Sequence, residues 1–225
     1  EYIHLFAIAI VQDVPANPNL KIECLIVLGN LNLQEIDFSQ LMQSQNLLHW
    51  IKDVLTAGKE KDDMVLQIII FLSTSATHDE LNAMLMCKAG VILALIELLK
   101  AKQEDDEIVL QIIYMFQQLL KTECTRNYMI KETETPAYLI DLMHDKNIEI
   151  RRICDYCLDI IAMVDINWAT RIKLEKFRNH NSQWLTMVET QETNYVLNNE
   201  SPDNEEADMP VYYASEHLTQ MYQSD

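Results

Sequence analysis

Two cysteines at the spacing Cys154-x-x-Cys157 are the pair in this chain that most resembles a reactive centre. Thiols so placed can hold zinc or form a dithiol–disulfide couple, but a structural zinc site needs four ligands. There is no second CxxC, and His4, His49, His78, His144, His180 and His217 never pair at three- or four-residue spacing. The pair sits within an apolar helical pattern and reads as buried structural thiols. Nucleophilic and phosphate chemistry have no better support. No Ser-His-Asp arrangement or Walker loop is present, and glycines only at 29, 58 and 90 exclude a GxGxxG loop. Adjacent acids at Asp62-Asp63 and Asp105-Asp106 stand at expected helix starts, where carboxylates complement the helix dipole. The local reversal of charge is Arg171, Lys173, Lys176 and Arg178, which with Asn181 and Trp184 forms a candidate cap surface for an acidic segment. The chain reads as non-catalytic, with no catalytic residue, metal or cofactor.

The elements that would position such groups repeat. LKIECLIVLGNL at 20–31 aligns with MVLQIIIFLSTS at 64–75 and IVLQIIYMFQQL at 108–119, each 44 residues on, and with IEIRRICDYCLD at 148–159, another 40 on. A second element, LLHWIKDVL at 47–55, returns in phase as VILALIELL at 91–99 and more loosely at 135–143. Apolar residues within each copy recur at helical spacing. Breaks fall at Ala57-Gly58, Ala89-Gly90, the 102–106 polar run and Thr135-Pro136. Each unit reads as a short helix followed by two longer ones. A period near 40–47 with two or three helices resembles armadillo or HEAT repeats, and the extra short helix favours armadillo. The expected fold is therefore all-α, an armadillo-type solenoid. Residues 1–33 make a truncated first unit whose N-terminal side would pack on something absent, 34–164 make three units, 165–189 cap the array, and 190–225 form an acidic tail.

In such arrays the third helices line the concave face and present an extended groove. Residues three and seven apart share one helix face. On that basis Glu23, Ile26 and Asn30 form a stripe in the first copy, followed by Gln67, Ile70 and Thr74, then Gln111, Tyr114 and Gln118. The 40-residue offset continues it as Arg151, Cys154 and Leu158. Amides and hydroxyls there suit a peptide whose main chain needs partners when shielded from water. Gly29-Asn30-Leu31 is similar to the armadillo family's Asn near the end of its third helix, which in that family holds peptide main chain. Ile26, Ile70, Tyr114 and Cys154 stand where import-type armadillo proteins carry tryptophan, which argues against an import receptor.

The formal charge of −18 argues against unaided binding to nucleic acid or anionic membrane. Nine acids and no Lys or Arg follow Arg178, leaving −9 on residues 1–178. The polar, acidic NNESPDNEEADMP stretch reads as a disordered linker. Beyond it, 211–222 could form a short docking helix carrying Tyr212, Tyr213, Leu218, Met221 and Tyr222. No apolar run approaches a membrane span, and five cysteines without framework spacing suit a reducing, intracellular setting.

Three strings, LKIECLIVLGNL (20–31), RRICDYCLDIIA (151–162) and EKFRNHNSQWLTMVE (175–189), resemble the kinesin-associated protein family, over about residues 1–189. That resemblance implies the C-terminal armadillo region of the non-motor subunit of heterotrimeric kinesin-II. It implies binding to the heavy-chain tails and to cargo adaptor proteins, in microtubule-based and ciliary transport, with a cytoplasmic location. It implies no catalytic residue and no obligate homo-oligomer. An armadillo adaptor for another peptide class, in nuclear transport or at junctions, is the alternative.

Overall fold

The computed structural model describes residues 3–12, 19–30, 37–182, 184, 186–188 and 190; the expected docking segment at 211–222 lies outside them. Among the described residues every regular element is helical. The first helices are α1 (Ile3–Val11) and α2 (Leu20–Asn30). The next unit holds α3 (Phe38–Gln43), a 3-10 turn Ser44–Asn46, α4 (Leu47–Val54) and α5 (Asp62–His78). Then follow α6 (Glu80–Ala89), α7 (Val91–Ala101) and α8 (Asp106–Lys121), and α9 (Glu123–Glu132), α10 (Thr135–Asp141) with a 3-10 turn, and α11 (Ile148–Val164). Helix α12 (Ile166–His180) closes the series. Each unit therefore has two short helices and one long one, where the sequence reading expected one short and two long.

Local signals place the ends. Asp79, Asp105 and Asn147 cap α6, α8 and α11 by accepting hydrogen bonds from the main-chain N–H of Leu81, Ile108 and Glu149. Pro136 occupies the first turn of α10, where no intrahelical N–H is required. Gly90 stops α6 at φ 77°, ψ 20°, a left-handed conformation that Gly adopts without a Cβ penalty, and α6 and α7 meet there at 69°. Among the described residues no single helix is long and apolar enough to cross a membrane.

The long helices stack in sequence, α2 on α5, α5 on α8 and α8 on α11, while α3, α6 and α9 form a second row. A third helix between two others has most of its circumference in the core. Helix α8 accordingly buries Ile108, Val109, Ile112, Ile113, Met115, Phe116, Leu119 and Leu120. Each such side chain contributes about 1.5–3 kcal/mol relative to exposure, before the entropy cost of ordering it. Polar groups link the rows. Asn82, almost fully buried, donates to the Ser75 carbonyl at 2.9 Å and accepts from Ser39 Oγ at 2.7 Å. The Thr125 hydroxyl of α9 donates back to Leu119 O at the end of α8, in the preceding unit. Along another edge, Lys102 Nζ lies 2.7 Å from the first-turn Asp62 of the preceding third helix, and Lys146 lies 3.8 Å from Asp106.

By internal contacts the chain divides between Asn179 and His180. The stack and nearly all of α12 belong to the first unit, and the residues from His180 onward to the second.

Candidate functional site

The face of the third helices that is not buried is the candidate site. Two third helices pack closely where a glycine lies between them. A Cβ on Gly29 would lie 3.2 Å from Ile70 Cγ2 and 3.5 Å from the Phe71 nitrogen, so α2 and α5 approach closely. That seam consumes one of the expected peptide contacts, because Thr74 Oγ1 donates across it to Gly29 O at 2.7 Å. Asn30 Nδ2 donates to Ile26 O within its own helix, at 2.7 Å. Gln118 is only 8 % exposed, and its Oε1 accepts from Lys121 Nζ at 2.7 Å. Asn30, Thr74 and Gln118 thus already have partners within the chain. The side-chain amides of Gln67 and Gln111, both half-buried residues, make no hydrogen bond with the described residues and remain available.

Exposed on the same stripe are Glu23, Ile26 and Tyr114, with Ile70 partly so. The fourth copy departs from expectation. Cys154 and Leu158 are both 0 % exposed and belong to the core, and only Arg151 of that trio reaches the surface. Arg151 is itself engaged, donating from Nη1 to the carbonyls of Asp145 (2.7 Å) and Lys146 (3.0 Å). The physical reason is register. The cap residues Asp105 and Asn147 stand 42 residues apart, so a 40-residue offset rotates the fourth helix by two residues. Two residues is about 200° of helical turn, which exchanges inside and outside. In the register set by the caps, Tyr156 takes the place of Tyr114, and it is 49 % exposed. Ile153 and Ile160, both half-buried, flank it. The N-cap spacing was the signal in the sequence that could have found Tyr156; likeness of apolar letters pointed two residues away.

The cysteine pair faces the core. Burial pushes the Cys157 thiol up to about 12, the Lys121 charge opposing it. Cys154 is raised further by burial first and then by Cys157, Asp145 and Asp155. A metal ligand or nucleophile needs the thiolate, which this environment disfavours. Among the described residues no group of three or more His, Cys, Asp or Glu is placed to hold a metal ion.

The cap residues have mostly found partners. Lys176 bridges Asp155 and Asp159 of α11, each at 2.6 Å. Burial alone would lower its pKa, but those two hydrogen bonds outweigh it and leave the value raised. Arg178 pairs with Glu175 at 3.0 Å, and the Arg171 guanidinium lies 5.1 Å from the Trp168 ring centroid. Lys173 is exposed. Asn181 is half-buried and Trp184 exposed, and both belong to the unit that starts at His180.

The sequence model of the kinesin-associated protein family matches residues 1–222, running past the strings that carry the resemblance and through most of the acidic tail. A designed armadillo repeat protein, solved in complex with the peptide (KR)4, superposes with a TM-score of 0.64 at 12 % identity, covering 77 % of this chain and 70 % of that one. An engineered protein solved by a structural genomics consortium gives a TM-score of 0.64 at 12 % identity, over 78 % of this chain and 68 % of its own. At that identity the likeness speaks for the fold alone, and the fold is the armadillo solenoid.

Proposed function

Because the chain belongs to the kinesin-associated protein family, we propose that it is a non-catalytic adaptor whose stacked third helices hold segments of kinesin-II heavy-chain tails and whose remaining surface engages cargo adaptor proteins. The family match carries this reading, and the geometry agrees with it. Side chains of Ile26, Ile70, Tyr114 and Tyr156 project from successive third helices of an armadillo stack. Such arrays offer long, shallow surfaces suited to peptides and poorly suited to enclosing a small substrate. The setting that goes with the role is the cytoplasm, on microtubules and in the cilium. The (KR)4 complex of the designed armadillo protein keeps the alternative adaptor reading in view, since a protein of this fold takes a peptide of another origin.

The test is retention of heavy-chain tail fragments on the purified chain, with crosslinking mass spectrometry of the assembled complex to locate the contacts. We expect retention, crosslinks to α5, α8 and α11, and at least about tenfold weaker binding when Tyr114 and Tyr156 are both replaced by Ser, as for loss of two buried aromatic anchors. Retention unchanged by that double replacement would remove the third-helix face from the function. No retention of any tail fragment would remove the adaptor role.

A further inference from the structure

The third-helix face carries two rows in register, and together they specify the chemistry of what binds. The first row is apolar and aromatic: Ile26, Ile70, Tyr114 and Tyr156. The second runs along its N-terminal edge, where Asp63, Glu107 and Glu149 lie seven residues before Ile70, Tyr114 and Tyr156 and therefore on the same helix face. All three are exposed.

First-turn acids are expected from the helix dipole alone, so the division of labour within each first turn matters. Asp62 is taken by Lys102 at 2.7 Å. Asp106 faces Lys146 and accepts from Asn147 Nδ2 at 3.2 Å. The carboxylates of the next residues, Asp63 and Glu107, make no ion pair or hydrogen bond with the described residues. Among the described residues the Glu149 carboxylate pairs with Arg152 alone, one turn along its own helix at 2.6 Å. Each first turn of α5 and α8 thus holds one acid that ties repeats together and a second that faces outward beside the apolar row.

Building on the adaptor reading above, we propose that this face selects a protein segment of one composition: apolar or aromatic residues that fill the row, alternating with Lys or Arg that lie along the acidic edge. Packed helices stand about 8–10 Å apart. An extended chain of polyproline type advances about 3.1 Å per residue and returns to the same direction every third residue, about 9.3 Å on. A triplet pattern of one aromatic and one basic residue therefore meets one repeat per triplet. The apolar row supplies the buried anchors. The edge supplies orientation and salt-dependent on-rate. A purely basic peptide would satisfy only the edge.

The test uses the whole chain and three synthetic peptides of about 15 residues, built from Tyr-Lys-Ser, Tyr-Glu-Ser or Ser-Lys-Ser triplets, read by fluorescence anisotropy. Tyr-Lys-Ser is expected to bind at least about tenfold tighter than either of the others. Asp63→Asn with Glu107→Gln is expected to weaken it severalfold and flatten its salt dependence. Glu123→Gln with Glu132→Gln, which removes the same charge from α9, should leave it unchanged. Circular dichroism confirms that both variants are folded. Equal binding of the three peptides, or equal weakening by the two charge-removing pairs, overturns the proposal, since general acidity then explains everything. If heavy-chain tails are retained but no triplet peptide is preferred, the inferred chemistry fails and the adaptor reading stands. If Tyr-Lys-Ser is preferred at the face but no tail is retained, the adaptor reading fails and the chemistry of the face stands.

Discussion

Replacing Cys154 and Tyr156 in turn by Asn tests the register of the fourth repeat directly. Cys154 is 0 % exposed, enclosed in the core shared by α8 and α11. Asn there buries an amide without an assigned partner, at about 1–3 kcal/mol. Its branched, planar amide also does not match the shape of the thiol it replaces in a packed interior, at about 1–3 kcal/mol more. The sum is about 2–6 kcal/mol. Tyr156 is 49 % exposed, and Tyr and Asn have similar helix propensities. Its replacement costs about 1 kcal/mol or less. With a urea m-value of about 2–3 kcal/mol/M, Cys154→Asn moves the midpoint down by about 0.7–3 M, while Tyr156→Asn moves it by less than about 0.5 M. The measurement is equilibrium urea unfolding by far-ultraviolet circular dichroism. Peptide or tail binding should follow the opposite order, unaffected by Cys154→Asn under conditions where that protein is folded and weakened by Tyr156→Asn. A Tyr156 replacement that destabilises as much as the Cys154 replacement would refute the reasoning and restore the 40-residue register.

Gly90→Ala places a side chain at φ 77°, a strain of about 1–2 kcal/mol; differential scanning calorimetry should show a lower Tm. A double-mutant cycle on Lys102→Met and Asp62→Asn is expected to give a coupling of about 0.2–1 kcal/mol that shrinks in 1 M salt, because Asp62 is half exposed; a coupling insensitive to salt would mean that the ion pair is not what links those repeats. The buried thiols predict a pH dependence. A thiol whose folded pKa lies above its unfolded value of about 8.5 contributes stability that is fully present below that value and is lost as pH rises toward the folded one. For Cys157 that window runs up to about 12. Stability should fall by about 1.4 kcal/mol per thiol per pH unit above about pH 9, and Cys154→Ala with Cys157→Ala, less stable at neutral pH, should lack that part of the slope in denaturation series between pH 8 and 10.5.

The periodicity of apolar residues, Gly90, Pro136 and the acids opening the third helices were enough to indicate an all-α stack with a period near 44, because these signals act within one or two turns of helix. The strings that carry the family resemblance were likewise visible without coordinates, and the family match extends across them. Much of the candidate stripe was also legible, since the three- and seven-residue spacing of Glu23, Ile26, Gln67, Ile70, Gln111 and Tyr114 follows from helix geometry alone. What needed the tertiary structure was everything decided at contacts between repeats. Thr74 and Gln118 look available on a helical wheel, yet one bonds across the seam to Gly29 and the other folds against Lys121. Cys154 and Tyr156 are both plausible surface or core residues by type. The likeness of apolar letters chose the wrong one, and the N-cap spacing alone hinted at the other; the placement of α11 against α8, two residues out of step with the apparent sequence repeat, puts the thiol inside and the ring outside. A solenoid's sequence sets the shape of each unit, but how one unit rotates against the next is a property of their packing, and the binding face is made by that rotation.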